Sequence, residues 1–186
     1  MNALPSSGHE AAARAERRWA FVSIGLLVVM LFLAAFAGIH QAIMPQLRVE
    51  TVDPRTLHIA GEFVEANLGS VLEPQGTVTV RLVAQQYSFT PQCIVVPADT
   101  PIVFRGTSAD VVHGFLVEGS NINAMLIPGY VTQLSGRFRT LGDHMMPCHE
   151  FCGVGHQGMW AHIKVIDPAA FSRLAGQQRR VSCVTE

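Results

Sequence analysis

Short runs of alternating apolar and polar residues fill most of the chain after residue 76. In the first run, Thr77–Ala84, the two kinds of residue alternate, and a period of two places one set of side chains on each face of a β-strand. Further short runs follow, separated by turn residues such as glycine and proline. The predicted strands are Thr77–Ala84, Ile94–Val96, Ile102–Arg105, Val112–Val117, Asn121–Met125, Tyr130–Leu134, Arg137–Arg139, His144–Met146 and Ala161–Ile166.

Many short strands without a helix-length pattern between them predict a mainly β domain, either an antiparallel sandwich or a Greek-key barrel. This domain covers residues 77–167. Residues 168–186 form the C-terminal part. Asp167, just before it, and Pro168 are an N-cap and a first helical residue, so we expect a short helix to about Ala175. Residues 41–76 have no sustained apolar period and are interpreted as a linker that wraps the domain.

One apolar stretch near the N-terminus is long enough to cross a membrane. No residue from Trp19 to Ile39 carries a charge, and we assign residues 19–40 to a helix that spans the lipid bilayer. Arg14, Arg17 and Arg18 precede the stretch, so residues 1–18 should be cytoplasmic and the β domain outside. The alternative is a cleaved signal peptide with Ala35-Phe36-Ala37 as its cleavage site, although signal peptides usually have shorter apolar cores.

The charge balance argues against nucleic-acid binding. The net charge is −1 for the whole chain. The first 40 residues contain three Arg and two Glu, a net charge of +1, so the remainder carries −2. Neutralisation of phosphates requires clustered Lys and Arg, which this balance does not supply. We expect no nucleic-acid partner.

A dense set of soft metal ligands lies between two predicted strands. Cys148, Cys152, His156 and Met159 follow one another at spacings of four, four and three residues. Thiolate, thioether and imidazole together favour copper, whereas a structural zinc site seldom uses Met. A blue-copper site uses one Cys, two His and a weak Met, but here a second thiol could bridge two coppers. His113 is the best candidate for the second imidazole.

The segment from Ala109 to Val165 resembles the CuA domain of cytochrome oxidase subunit II. The resemblance is carried by Asp-Val-Val-His-Gly-Phe at 110–115, by Val-Glu-Gly-Ser-Asn-Ile-Asn at 117–123, by Pro-Gly at 128–129, and by the Cys-x-Glu-x-Cys-Gly-x-x-His-x-x-Met loop. With a single anchor helix, the chain is most similar to the B-type branch of the haem–copper oxidases. The resemblance implies a cupredoxin-like Greek-key fold for the domain.

The resemblance also implies a ligand set and a function. Cys148 and Cys152 would bridge two coppers, His113 and Met159 would complete one copper, and His156 and the backbone carbonyl of Glu150 would complete the other. A periplasmic c-type cytochrome or small copper protein would donate electrons, which would pass to haem in subunit I for reduction of oxygen to water coupled to proton translocation. The chain itself would not be catalytic. It would lie in the inner membrane of a bacterium.

Three side chains have further roles by the same resemblance. The Glu150 carboxylate would bind Mg²⁺ at the subunit I interface, Tyr87 would lie at the electron-entry patch, and Glu16 would lie at the entrance of the proton channel of subunit I. The simpler interpretations are a packed aromatic residue for Tyr87 and a solvated charge for Glu16. The histidines without a matching spacing are interpreted as structural or solvated.

The ligand loop does not account for two of the cysteines, and the sequence allows several alternative functions. Cys93 and Cys183 lie outside the ligand loop, and thiols outside the membrane tend to cross-link, so we expect a disulfide between them. The alternatives to an oxidase subunit are the CuA subunit of a nitric oxide reductase and, in a different class, a copper-binding or copper-delivery protein. Nitrous oxide reductase carries its copper pair on a much larger chain, and a zinc-stabilised interaction domain is a weaker alternative.

Overall fold

The structure is a computed structural model that describes residues 6–40, 49–178 and 180–183, the side chains of 6–8 and 40 excepted. The chain divides into two compact units, Met1–Pro45 and Gln46–Glu186. The first contains helix α1, Ser6–His40. Its segment His9–Ile39 is long and apolar enough to cross a membrane. The helix starts before Trp19 because the preceding segment is rich in alanine and contains the favourable i,i+4 pair Glu10–Arg14.

The second unit is mainly β, as predicted. It also contains two short 3₁₀ turns, Glu65–Asn67 before the first strand and His156–Gly158 before the last. The elements are β1 Gly69–Leu72, β2 Val78–Gln85, β3 Ser88–Thr90, β4 Cys93–Pro97, β5 Ile102–Ser108, β6 His113–Leu116, β7 Asn123–Leu126, β8 Thr132–Gly136, β9 Gly142–Pro147, β10 Trp160–Ile166 and helix α2 Pro168–Gln177.

The strands form two sheets and a separate hairpin. The first sheet has the order β1-β2-β5-β8, with β3 paired to β2, the second has the order β4-β10-β9, and β6 pairs with β7. Two pairings, β2 with β5 and β4 with β10, are parallel, so both sheets contain parallel as well as antiparallel pairs. Alternation fixes which face of a strand is buried but not the direction of its neighbour.

The core lies between the sheets and is rich in aromatic contacts. Phe104 on β5 lies 5.6 Å from Phe115 and 6.4 Å from Phe138, measured between ring centroids. The predicted strand Arg137–Arg139 is wrong, because this segment lies outside the strands. A single buried side chain, Phe138, stands between two exposed arginines. One apolar residue between two charged ones has the alternating pattern of a β-strand, but here the backbone does not pair with a neighbouring strand.

The segment before β2, predicted to be a linker, packs closely against the β domain. Residues 41–48 lie outside the described residues, but from residue 49 onward the segment contributes β1 and a second buried cluster. Leu57, Phe63 and Leu68 pack in this cluster with Val83 and Val131. As a consequence β2 is buried on both faces, which only an interior strand tolerates.

An ion-pair network fastens this segment to the first sheet. Glu62 accepts hydrogen bonds from Nε of Arg81 at 2.9 Å and from Nε of Arg105 at 2.6 Å. Arg105 also pairs with Glu50. Burial opposes ionisation of Glu62, but its hydrogen bond and charge attraction with Arg105, and the pairing with Arg81, outweigh burial and lower its pKa.

The C-terminal part pairs with one edge strand of each sheet. Asp167 caps α2 by accepting hydrogen bonds from the backbone N–H groups of residues 169 and 170, and the helix reaches Gln177, slightly beyond the predicted end. After α2, Val181 bridges to Ser70 of β1 and residue 182 bridges to residue 94 of β4. The structure joins Cys93 and Cys183 in a disulfide with a Cα–Cα distance of 5.4 Å.

We predict that Glu62→Gln lowers the free energy of unfolding of the full-length chain by about 1–3 kcal/mol at neutral pH. Arg81 loses its charged partner, and Arg105 keeps only Glu50. Folding depresses the pKa of Glu62, so its contribution is present above the unfolded-state pKa and is lost as pH falls through the folded-state pKa. Denaturant unfolding between pH 7 and pH 3 should show the two proteins converging toward acid pH. The exposed Glu65→Gln in the same segment is the control, and a constant difference at every pH would contradict the assignment.

Candidate metal centre

The predicted ligands come from two places in the fold. His113 is the first residue of β6, and the other side chains lie in the ligand loop, residues 148–159, between β9 and β10. A hydrogen bond of 3.1 Å from the N–H of Cys148 to the carbonyl of Met159 closes the base of the loop. Within the loop, the N–H of His156 donates to the carbonyl of Gly153 at 3.1 Å. These bonds turn the loop back on itself, so that its side chains can converge.

The side chains converge around two sulfur atoms. The Sγ atoms of Cys148 and Cys152 lie 3.9 Å apart. Nδ1 of His113 is 3.9 Å from Sγ of Cys148, and Nδ1 of His156 is 3.6 Å from Sγ of Cys152. Sδ of Met159 lies 3.7 Å from Sγ of Cys152. Each sulfur atom therefore has its own imidazole.

The centre is dry. His113 is 0% exposed, Met159 is 1%, and the cysteines at 148 and 152 are 6% and 4%; His156 is half-buried. The ligand atoms of His113, Cys148 and Cys152 all lie within 4.8 Å of one another. Buried thiols, imidazoles and a thioether are a donor set that fits copper, and the apolar surroundings exclude water.

The backbone of the loop adds one oxygen donor. The carbonyl oxygen of Glu150 lies 3.2 Å from Sγ of Cys148, while the Glu150 side chain is half-buried. All of the sequence-predicted copper ligands are thus brought together in one place. Glu16 lies in the other unit, on the exposed surface of α1, and takes no part in this cluster.

The electrostatics of the centre favour a neutral Cys152 thiol when no cation is bound. Burial and, next, the neighbouring Cys148 together raise the pKa of the Cys152 thiol to about 11. A thiol must lose its proton to bind a metal. The positive charge of a metal therefore has to replace the proton at Cys152.

Asp110 orients the His113 ring, a role that the sequence analysis did not assign. Oδ1 of Asp110 lies 2.8 Å from Nε2 of His113, which leaves Nδ1 to face the sulfur atom. Burial opposes ionisation of Asp110, but hydrogen bonds from His113 and from the N–H groups of Gln86 and Val111 prevail and lower its pKa. A carboxylate that accepts a hydrogen bond from a metal-binding histidine fixes the tautomer of the histidine ring. The position of Asp110, three residues before His113, is the sequence signal from which this role could have been predicted.

The turn between β2 and β3, which contains Gln86 and Tyr87, contacts the ligand loop. Nε2 of Gln86 donates a 2.6 Å hydrogen bond to the carbonyl of Cys152. The Tyr87 ring lies against two loop glycines, where a Cβ would come within 2.7 Å of the Tyr87 hydroxyl at residue 153 and within 2.6 Å of ring atom Cδ2 at residue 155. Glycine is required at both positions because the ring occupies the space of a side chain. Tyr87 remains 39% exposed.

A third close approach joins the loop to β6. A Cβ on Gly114 would lie 2.2 Å from Nδ1 of His149 and 2.6 Å from the backbone nitrogen of Glu150. No side chain fits at residue 114 without moving backbone. The absence of a side chain there allows the loop to reach His113.

The fold and the site together define a class of protein. Its members have a mainly β domain with a buried centre of thiols and imidazoles suited to copper, and a helix of membrane-spanning length precedes this domain in the sequence. Comparison with known proteins narrows the class. A family model described as cytochrome c oxidase subunit II, periplasmic domain, matches residues 61–166.

Two similar relatives are both cytochrome c oxidase subunit 2 proteins from Thermus thermophilus. One is 35% identical over 159 residues, covering 84% of this chain and 95% of the relative, and the other is 37% identical over 123 residues, covering 66% and 91%. A chain of a heme-copper terminal oxidase dimer solved by cryo-electron microscopy superposes with a TM-score of 0.63 at 28% identity, covering 82% of this chain and 99% of that one. The chain belongs to the cytochrome c oxidase subunit II family.

We predict that Asp110→Asn lowers the copper affinity of the full-length chain about 10–100-fold, because the amide no longer fixes the tautomer of His113 by accepting its proton as a carboxylate. Competition with a chromogenic chelator measures the affinity. Asp53→Asn is the matched control, since this exposed carboxylate also accepts a backbone hydrogen bond, from residue 55. Equal copper affinities of Asp110→Asn and Asp53→Asn would show that Asp110 does not position His113.

We also predict that copper loading releases protons. Because the pKa of Cys152 is raised to about 11 in the metal-free centre, this thiol is protonated at neutral pH and gives up a proton to the solvent on binding. The apparent affinity should therefore rise about tenfold or more per pH unit between pH 6 and pH 8. An indicator dye in weakly buffered solution reports the protons. Loading without proton release would mean that the thiol is already ionised.

Proposed function

We propose that this chain is the electron-entry subunit II of a haem–copper terminal oxidase and that its metal centre holds two copper ions. The observation that carries the proposal is the pair of buried sulfur atoms 3.9 Å apart, each with a different imidazole beside it. A mononuclear blue-copper site requires a single cysteine. Two thiolates at this separation, each with its own histidine, suit a pair of bridged ions.

In this proposal Cys148 and Cys152 would hold both ions. His113 and Met159 would complete the ligands of one ion, and His156 and the Glu150 carbonyl would complete those of the other. The copper pair, when bound, accepts and releases one electron at a time. Catalysis belongs to subunit I, where oxygen is reduced to water with coupled proton translocation, and this chain is not itself catalytic.

The side chains around the centre keep its geometry constant. Asp110 fixes the His113 ring, Gln86 holds the carbonyl of Cys152, and Gly114 lets the loop lie on β6. A site whose ligands do not move when the charge changes loses little energy to reorganisation. Burial of the thiols and of Met159 keeps water out of the centre and tunes its potential.

The electron donor is proposed to dock on an apolar surface beside His156. Phe151 is 75% exposed and Val154 is 89% exposed, and both lie in the ligand loop. The Phe151 ring contacts His156 with a centroid distance of 5.8 Å. Tyr87, against the same loop, extends the surface and takes the electron-entry role. The donor is a periplasmic c-type cytochrome or a small copper protein.

The first unit is proposed to anchor the chain in the inner membrane of a bacterium. Helix α1 has the required length and composition, and the arginines before its apolar stretch place the N-terminus in the cytoplasm and the β unit in the periplasm. We assign residues 1–18 to the cytoplasm, 19–40 to the membrane and 77–167 to the copper-binding domain. Glu16 then lies at the cytoplasmic end of the helix, where it would face the proton-channel entrance of subunit I.

Glu150 is proposed to serve two ions at once. Its carbonyl oxygen faces the thiol cluster, while its half-buried carboxylate is free to bind Mg²⁺ at the interface with subunit I. Carboxylate oxygens are the ligands that Mg²⁺ prefers. The backbone and side chain of one residue would then connect the copper centre with the subunit interface.

Two alternatives differ in measurable ways. The CuA subunit of a nitric oxide reductase would carry the same centre, so the gas consumed by the assembled complex decides between the two acceptors. A copper-delivery protein would hold one ion and release it readily. The number of donors and their burial favour retention, and this favours electron transfer over delivery.

We predict that the full-length chain binds two coppers and gives an electron paramagnetic resonance spectrum of one electron shared between two copper nuclei. Cys152→Ser should convert this spectrum to that of a single localised Cu(II), because one bridging sulfur is lost. His156→Gln should also disturb the sharing, since one ion loses its imidazole, whereas the exposed His58→Gln should leave the spectrum unchanged. One copper per wild-type chain with a localised signal would overturn the proposal in favour of the delivery function.

A further inference from the structure

The outer face of the second sheet carries a methionine and a histidine directly opposite each other. Met145 on β9 and His162 on β10 are partners in antiparallel register. Both are exposed, Met145 by 37%, whereas their chain neighbours Met146 and Ala161 are 0% and 1% exposed. Because side chains alternate along a strand, Met145 and His162 project from the same solvent-facing side of the sheet.

The separation suits a shared ion. The Cβ atoms of residues directly opposite each other in an antiparallel pair lie about 4.5–5.5 Å apart. Both side chains extend beyond Cβ, so a thioether sulfur and an imidazole nitrogen can reach one ion without movement of the backbone. The two donors come from paired strands of a three-stranded sheet, which keeps their register fixed.

The chemistry of the pair selects a soft ion of low charge. A thioether and a neutral imidazole bring no negative charge, and thioether ligands favour Cu(I). The next opposed pair on this face, Asp143 and Lys164, has cancelling charges. The parallel neighbour of His162 is Cys93, whose sulfur is engaged in the disulfide and is not available as a thiolate. Zn²⁺ and other divalent ions would find no anionic ligand in the pair itself.

We propose that Met145 and His162 form a second copper site, which binds one Cu(I) outside the thiol centre. The two strands that carry the pair lead directly into the ligand loop. Met145 stands three residues before Cys148 and His162 three residues after Met159, or about 10 Å along each strand. An exposed site with two neutral donors holds Cu(I) exchangeably, next to a buried centre that needs copper.

The test uses the full-length chain in detergent with its thiol centre already filled. Cu(I) is added without oxygen and in competition with a chromogenic chelator. The wild-type chain should take up one further Cu(I). Met145→Leu and His162→Gln should each weaken this uptake by at least about tenfold, because each removes one of two donors. Circular dichroism and the spectrum of the thiol centre, recorded for every variant, establish that the domain is folded and that the first site is intact.

Two controls sharpen the result. His58→Gln removes an exposed imidazole elsewhere and should leave the uptake unchanged. Met125→Leu removes another methionine that is 37% exposed, whose opposite residue, Gly114, carries no side chain. The proposal is overturned if the wild type binds no further Cu(I), if the uptake survives in both site variants, or if Met125→Leu abolishes it, which would place the ion beside His149. None of these outcomes bears on the thiol centre.

Discussion

The metal centre depends on one close approach, that of the ligand loop to strand β6. Four donor side chains lie within residues 148–159, but the fifth, His113, comes from a different pair of strands. The loop reaches it because Gly114 leaves the space into which the His149 ring and the backbone of Glu150 fit. Any side chain at this position would push the loop away and separate His113 from Cys148. The chemistry of the centre therefore rests on a contact between backbone segments.

The remaining contacts hold that approach in place. Asp110 and Gln86 act on different ligands, the first through the ring of His113 and the second through the carbonyl of Cys152. The same turn places Tyr87 against the loop, so the outer wall of the site is also a partly exposed aromatic surface. One short turn therefore both fixes the loop, through Gln86, and presents an exposed aromatic side chain, Tyr87. This arrangement keeps the ligands in place next to an aromatic side chain that stays partly exposed.

Segments outside the predicted β domain complete the sandwich. Residues 49–72 cover β2 with a second apolar cluster and an ion-pair network, and the C-terminal tail pairs with β1 and β4. The first segment has the sequence pattern of a linker because its buried residues, such as Leu57 and Phe63, do not recur at a regular spacing. Irregular burial leaves no period to detect. The same limitation explains why Phe138 between two arginines resembled a strand.

The sequence by itself determined the class of the fold and which side chains are candidate metal donors. Alternation is a local property of a strand, and the spacing of two Cys, one His and one Met is a local property of one loop, so both can be read along the chain. Tertiary structure alone decided which strands run parallel, how the tail pairs with one edge strand of each sheet, and that Asp110, Gln86 and Gly114 serve the centre. These features join residues that are distant in sequence, and no local pattern encodes the distance between them.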